Sequence, residues 1–144
     1  MSEMDFEIIA PVIVLPAMHD STSAFRTAHD LLSRRAPVEA LQVLEPAIEE
    51  ARRADQNTYA LRSMRAWAFM IRAQLGPAEA ELRALAEIQP DDVWVRHALG
   101  RVLERQSRLA EALPHLKLAA VMSDDHDHRV AVLRVQNLLA RHSG

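Results

Sequence analysis

From Ser21 onward the apolar and polar residues recur with the period of a helix: Ala, Leu, Arg and Glu fill long runs and β-branched residues are few. Short polar breaks at Arg34-Arg35-Ala36-Pro37, Gln74-Leu75-Gly76-Pro77 and Gln106-Ser107-Arg108 each predict a tight connection between two helices. Longer breaks at Asp20-Ser21-Thr22-Ser23, Asp55-Gln56-Asn57-Thr58, Pro90-Asp91-Asp92 and Ser123-Asp124-Asp125 offer side-chain oxygens that can cap a helix N-terminus. The pattern predicts three helical hairpins and a last helix. No alternating strand run follows residue 20, so there is no sheet to cover, and tight loops force neighbouring helices to pack antiparallel. The fold class is all-α.

The three hairpins read as copies of one unit. A small residue in each first helix, Ala28, Ala68 and Gly100, is followed three residues later by Leu31, Ile71 and Leu103, and twelve residues later by Ala40, Ala80 and Ala112, each preceded by glutamate. On this alignment the anchors are 40 and then 32 residues apart. Small residues belong where two helix backbones approach closely, and large apolar ones fill the space between hairpins. One hairpin cannot bury its own apolar face, so about three must stack and a further helix must close the stack. Ala131, Val132, Val135, Leu138 and Leu139 form one apolar stripe suited to that closing helix, with Arg134, Asn137 and Arg141 expected elsewhere on its surface.

In the last copy Leu99-Gly100, Leu103, Ala112, Leu116 and Ala119 stand at the spacings of the tetratricopeptide (TPR) pattern, and Ala28, Leu31, Ala40, Leu44 and Ala47 fit it in the first. In the second copy Trp67-Ala68, Ile71 and Ala80 fit, but with a repeat starting at Leu61 Pro90 arrives two residues early. The chain resembles that family over about Ser21 to Asp125. The resemblance implies a right-handed α-solenoid with three helix-turn-helix repeats, about 21–57, 58–91 and 92–125. An extended N-terminal arm over 1–20 would precede the repeat region 21–126, and a capping helix and tail over 127–144 would follow it.

Composition narrows the function classes. At 144 residues and 16.2 kDa, 49% hydrophobic and 26% charged, the chain suits one folded domain with its own core. Zero cysteines remove thiol nucleophiles and thiolate metal sites, and three glycines leave no glycine-rich phosphate loop. Sixteen of the 17 basic residues are arginine, but a net charge of −3 argues against a nucleic-acid partner. No stretch reaches the roughly 20 apolar residues a membrane span needs, and Phe6 to Leu15 lacks the positive flank of a signal peptide, so the expected location is the cytoplasm.

Charge nevertheless separates by element. The first helices carry +1, +3 and +2, whereas the second helices of the first two hairpins hold Glu39, Glu45, Glu49 and Glu50, and then Glu79, Glu81 and Glu87 beside Arg83. In TPR proteins the first helix of each repeat lines the concave face. The resemblance places Thr22, Phe25, His29 and Leu32, then Arg62, Arg65, Phe69 and Arg72, then Trp94, His97, Arg101 and Glu104 on it. A basic wall with interspersed aromatics suits an acidic or extended peptide, because guanidinium forks bind carboxylates and aromatics supply desolvated area. Rim ion pairs contribute about 0.2–1 kcal/mol each against roughly 8 for a micromolar complex, so the arginines would orient and the aromatics anchor. The candidate peptide-binding residues are therefore Phe25, His29, Arg62, Arg65, Phe69, Arg72, Trp94, His97 and Arg101 in a non-enzymatic protein-binding module. Arginines that only solvate a face or pair with neighbouring glutamates are the competing reading, and Trp67 reads as core. The carboxylate clamp of TPR co-chaperones is not matched: its positions hold Phe25, His29, Ala66, Trp94 and Ala98.

Phe6, Ile8, Ile9, Val12, Ile13, Val14 and Leu15 are foreign to the helical region, and Pro11 and Pro16 bar a continuous helix. The arm is expected to be extended, either covering apolar surface near the first hairpin or lying in its own or a neighbour's groove. The second course would make residues 6–16 a self-association element and the chain a structural subunit. His126-Asp127-His128 with His115 is a poor metal site, since consecutive helical residues cannot face one ion, and His29, Asp30 and Ser33 diverge too far for a hydrolytic triad. No cofactor is expected.

Overall fold

The computed structural model describes Ala10 and residues 19–142. Seven helices follow in order: α1 (His19–Ser33), α2 (Pro37–Arg53), α3 (Tyr59–Ile71), α4 (Leu75–Ile88), α5 (Val93–Arg105), α6 (Leu109–Met122) and α7 (His126–His142). No strand occurs among the described residues, and the class is all-α as the periodicity predicts. The expected arm lies outside the described residues apart from Ala10 and the first residues of α1, which has already begun at His19; Asp20 and Ser21 are helical rather than capping. The chain divides into two compact units, Met1–Glu81 and Leu82–Gly144. In the first, α1 lies against α2 and α3; in the second, α6 lies against α5 and α7.

The three tight connections share one geometry. After α1 the Ala36 N–H donates to the Leu31 carbonyl at 2.8 Å and the Arg35 N–H to that of Leu32 at 3.0 Å, with Arg35 at φ 59°. Gln74 to Phe69 (2.9 Å) and Ala73 to Met70 (3.0 Å) repeat it after α3, and Arg108 to Leu103 (3.0 Å) and Ser107 to Glu104 (2.9 Å) after α5, with φ 57° at Ala73 and 62° at Ser107. This paired bonding satisfies carbonyls that a helix end leaves orphaned, through one left-handed residue.

Those left-handed residues stand 38 and then 34 residues apart, which corrects the register of the second hairpin by two. The buried small residues at equal offsets are Ala28, Ala66 and Gly100, followed by Ala40, Ala78 and Ala112 and by Leu44, Leu82 and Leu116, whereas Ala80 is exposed. Gly76-Pro77 caused the slip. It reads as a turn, yet both residues sit in the first turn of α4, where proline is tolerated because no intrahelical N–H bond is lost. With the second repeat beginning at Tyr59, Pro90 is no longer early.

A left-handed alanine costs more than a left-handed glycine, which has no Cβ to clash. Ala73→Gly is therefore expected to raise stability by about 0.5–1 kcal/mol in urea denaturation, whereas a loss would contradict the register. Elsewhere Asp92 caps α5 through the Val95 N–H (3.2 Å) and Asp125 accepts from the Asp127 N–H (2.9 Å), as their positions predict.

Candidate functional site

In the first unit, α3 and α4 settle the fate of the arginines. Arg62 Nε donates to Glu81 Oε1 at 2.7 Å and Arg65 Nε to Glu81 Oε2 at 2.5 Å, while Arg65 also reaches Glu45 of α2 at 3.2 Å. Glu81 is only 7% exposed, so one desolvated carboxylate is shared by two guanidiniums. Burial works to lower the Arg65 pKa, but hydrogen bonding and charge from Glu81, and then Glu45, outweigh it and hold the pKa above the ordinary arginine value. The +3 read on α3 is thus largely matched inside the protein by carboxylates of the flanking helices. Arg72 is exposed at the end of α3, and Phe69 is half-buried.

The corrected register explains this placement. The α3 residues equivalent to Thr22, Phe25, His29 and Leu32 are Ala60, Ser63, Trp67 and Met70, and neither Arg62 nor Arg65 belongs to that line. Trp67 is buried, as the core reading of the sequence expects, and its ring lies against α1: the Phe25 and His29 rings lie 6.3 Å apart at 27°, and the His29 and Trp67 rings 5.8 Å apart at 59°. The missed signal was the 38-residue interval, which makes Trp67 the counterpart of His29. The Ser33 hydroxyl donates to the His29 carbonyl at 2.8 Å and Asp30 pairs with Arg34, so neither side chain addresses the imidazole.

In the second unit, α7 occupies the α5 candidates. The His97 ring is 7% exposed and lies 4.4 Å from that of His128 at 41°. Burial first, then His128, Arg101 and Arg134, push the His97 pKa down to about 3, with Asp125 opposing. Arg134, expected on the open surface of α7, instead forks onto Glu104 at 2.6 and 2.7 Å, and Arg101 Nε stands 3.3 Å from the same carboxylate. Trp94 is half-buried near the start of α5. Arg96 donates to the Pro90 carbonyl (3.0 Å) and lies 3.3 Å from His115 Nδ1, which must accept because a guanidinium only donates. Burial, then Arg96 and Arg83, lower the His115 pKa against Glu111.

Phe25 meets His29 and His29 meets Trp67, Arg62 and Arg65 meet Glu81, and His97 meets His128. Among the described residues no cluster of His, Asp and Glu has a metal-holding arrangement, and no helix is long and apolar enough to cross a membrane. Neither a protein-family model nor any curated protein matches the chain.

Proposed function

We propose that the protein is a cytoplasmic, non-enzymatic protein- or peptide-binding module built as a right-handed solenoid of three TPR-like repeats. Equal offsets of the small residues, the paired loop bonds and the left-handed residues in all three hairpins support the repeat reading. The observation that carries the binding reading is the ring cluster of Phe25, His29 and Trp67 on two first helices. Half-buried Phe25 and His29 give a ligand side chain apolar contact area already positioned by packing. Because Arg62, Arg65 and Arg101 face carboxylates of the chain itself, an acidic ligand would compete with Glu81, Glu45 and Glu104 for them. The favoured ligand is accordingly an extended segment with an aromatic or aliphatic anchor, and acidic flanks steer it through exposed Arg72 and Arg26.

A displayed library of random twelve-residue peptides selected on wild type tests this. Loss of a central aromatic anchor costs about 2 kcal/mol or more, so Phe25→Ala should weaken selected peptides about 30-fold while leaving the melting temperature within a few degrees. Equal binding to both proteins, or failure to enrich any sequence, would overturn the reading.

The second reading, a self-associating subunit, is favoured by a specific feature: Val121 (83% exposed) and Leu133 (58%), with Leu118 and Val130, leave apolar side chains open on α6 and α7. Light scattering separates the two, since a constitutive dimer that dissociates on deletion of residues 6–16 supports self-association and a monomer supports ligand binding.

A further inference from the structure

The contact between α5 and α7 combines features that seldom coexist in a contact meant only for stability. Two imidazoles, His97 and His128, meet at 4.4 Å with their planes tilted by 41°, and the Nδ1 atoms of both are buried without a hydrogen-bond partner among the described residues. The charged and titratable groups around His97 are His128 and Arg134 of α7, Arg101 of α5, and Asp125 in the turn before α7. Glu104, on the same helix α5, is already engaged by the Arg134 fork and by Arg101. A proton added to the pair thus enters a site with two guanidiniums and a second imidazole, with Asp125 as its counter-charge.

We propose that α7 is an acid-released latch: protonation of His97 against the His128 ring detaches it from α5 while the rest of the chain stays folded. The geometry gives α7 this separability. Of its described side chains only Ala131 and Val135 are fully buried, so few apolar contacts hold it. Arg134 also occupies the place, 34 residues after Gly100, where each earlier unit has a small residue for close approach of a following helix. Release would uncover His97 and Glu104 on α5, the residues that α7 now holds through His128 and Arg134.

The sign follows from linkage. His97 binds its proton near pH 3 when α7 is docked and near 6.5 once exposed, so docking is fully favoured above pH 6.5 and weakens as pH falls toward 3. Between pH 7.5 and 5 the opening equilibrium of α7 should rise about 30-fold.

Hydrogen exchange of the full chain at pH 7.5 and 5.0, corrected for intrinsic rates, tests the proposal. Wild type should show that rise across α7, with the α2 amides as an unchanged reference. His97→Leu and, leaving α5 intact, His128→Phe should each reduce the rise to a few-fold. Unchanged protection of α7 in wild type would overturn the proposal, as would an equal rise in α2 or a full rise in the variant that remains folded. His115 also favours its neutral form, and its effect falls on α6, where a rise confined to that helix would likewise count against the latch.

Discussion

Glu81→Ala should be among the most damaging single substitutions in the protein, costing about 3–5 kcal/mol because it strands buried arginine charge. For a chain of this length that corresponds to a fall in melting temperature on the order of 10 °C. Both carboxylate oxygens are engaged: Oε1 accepts from Arg62 and Oε2 from Arg65, and the carboxylate has almost no solvent to replace either donor. Arg65 keeps Glu45, which is itself exposed, but among the described residues Arg62 pairs with Glu81 alone. Glu81→Gln retains volume and one acceptor and should cost less. Replacing all three groups by apolar side chains, Arg62→Met, Arg65→Met and Glu81→Leu, should recover most of the loss, since a buried ion network repays its own desolvation poorly. Chemical denaturation of these variants decides the matter: a loss below about 1 kcal/mol for Glu81→Ala would show that the carboxylate is not the shared partner.

The second large effect is a coupling between α5 and α6. A Cβ placed on Gly100 would lie 2.5 Å from Leu116 Cδ2 and 2.6 Å from its Cγ, so Gly100→Ala forces Leu116 aside. Overpacking of this kind costs about 1–3 kcal/mol, offset in part by the better helix propensity of alanine. Leu116 is fully buried, and Leu116→Ala should cost about 2–5 kcal/mol through lost contact and a residual cavity. In the double variant the new methyl enters the space the leucine vacates. Its cost should fall below the sum of the single costs by about 0.5–3 kcal/mol, as read from a double-mutant cycle. Strict additivity would mean that the two residues do not share one space.

How much of this was legible in the sequence differs element by element. Helix periodicity and polar breaks located all seven helices, and Asp92 and Asp125 marked real caps. Ala131 and Val135 face inward on α7 as their spacing predicts. Gly76-Pro77 misled because turn-forming residues also serve in a first helical turn; the residue that reverses the chain is Ala73, which carries no composition signal. A slip of two residues is small along the chain but rotates a helix by about 200°, enough to exchange Arg62 and Arg65 for Ala60 and Ser63 on the line equivalent to Thr22 and Phe25.

The candidate site suffered more than the fold. Counting charge by element picked out Arg62, Arg65 and Arg72, yet the partners of the first two are on α2 and α4, 16 to 20 residues away. His97 stood in the expected line, but its environment comes from His128 and Arg134, supplied by the helix that closes the chain.

By itself the amino-acid order determined the all-helical class, the hairpin unit and its recurrence, because periodicity, loop length and small-residue spacing are properties of neighbouring residues. Only the tertiary structure decided which side of each helix is inner, which arginines are already neutralised and which histidines are sealed from water. Those outcomes depend on distances between residues far apart in the chain, and local sequence carries no measure of them.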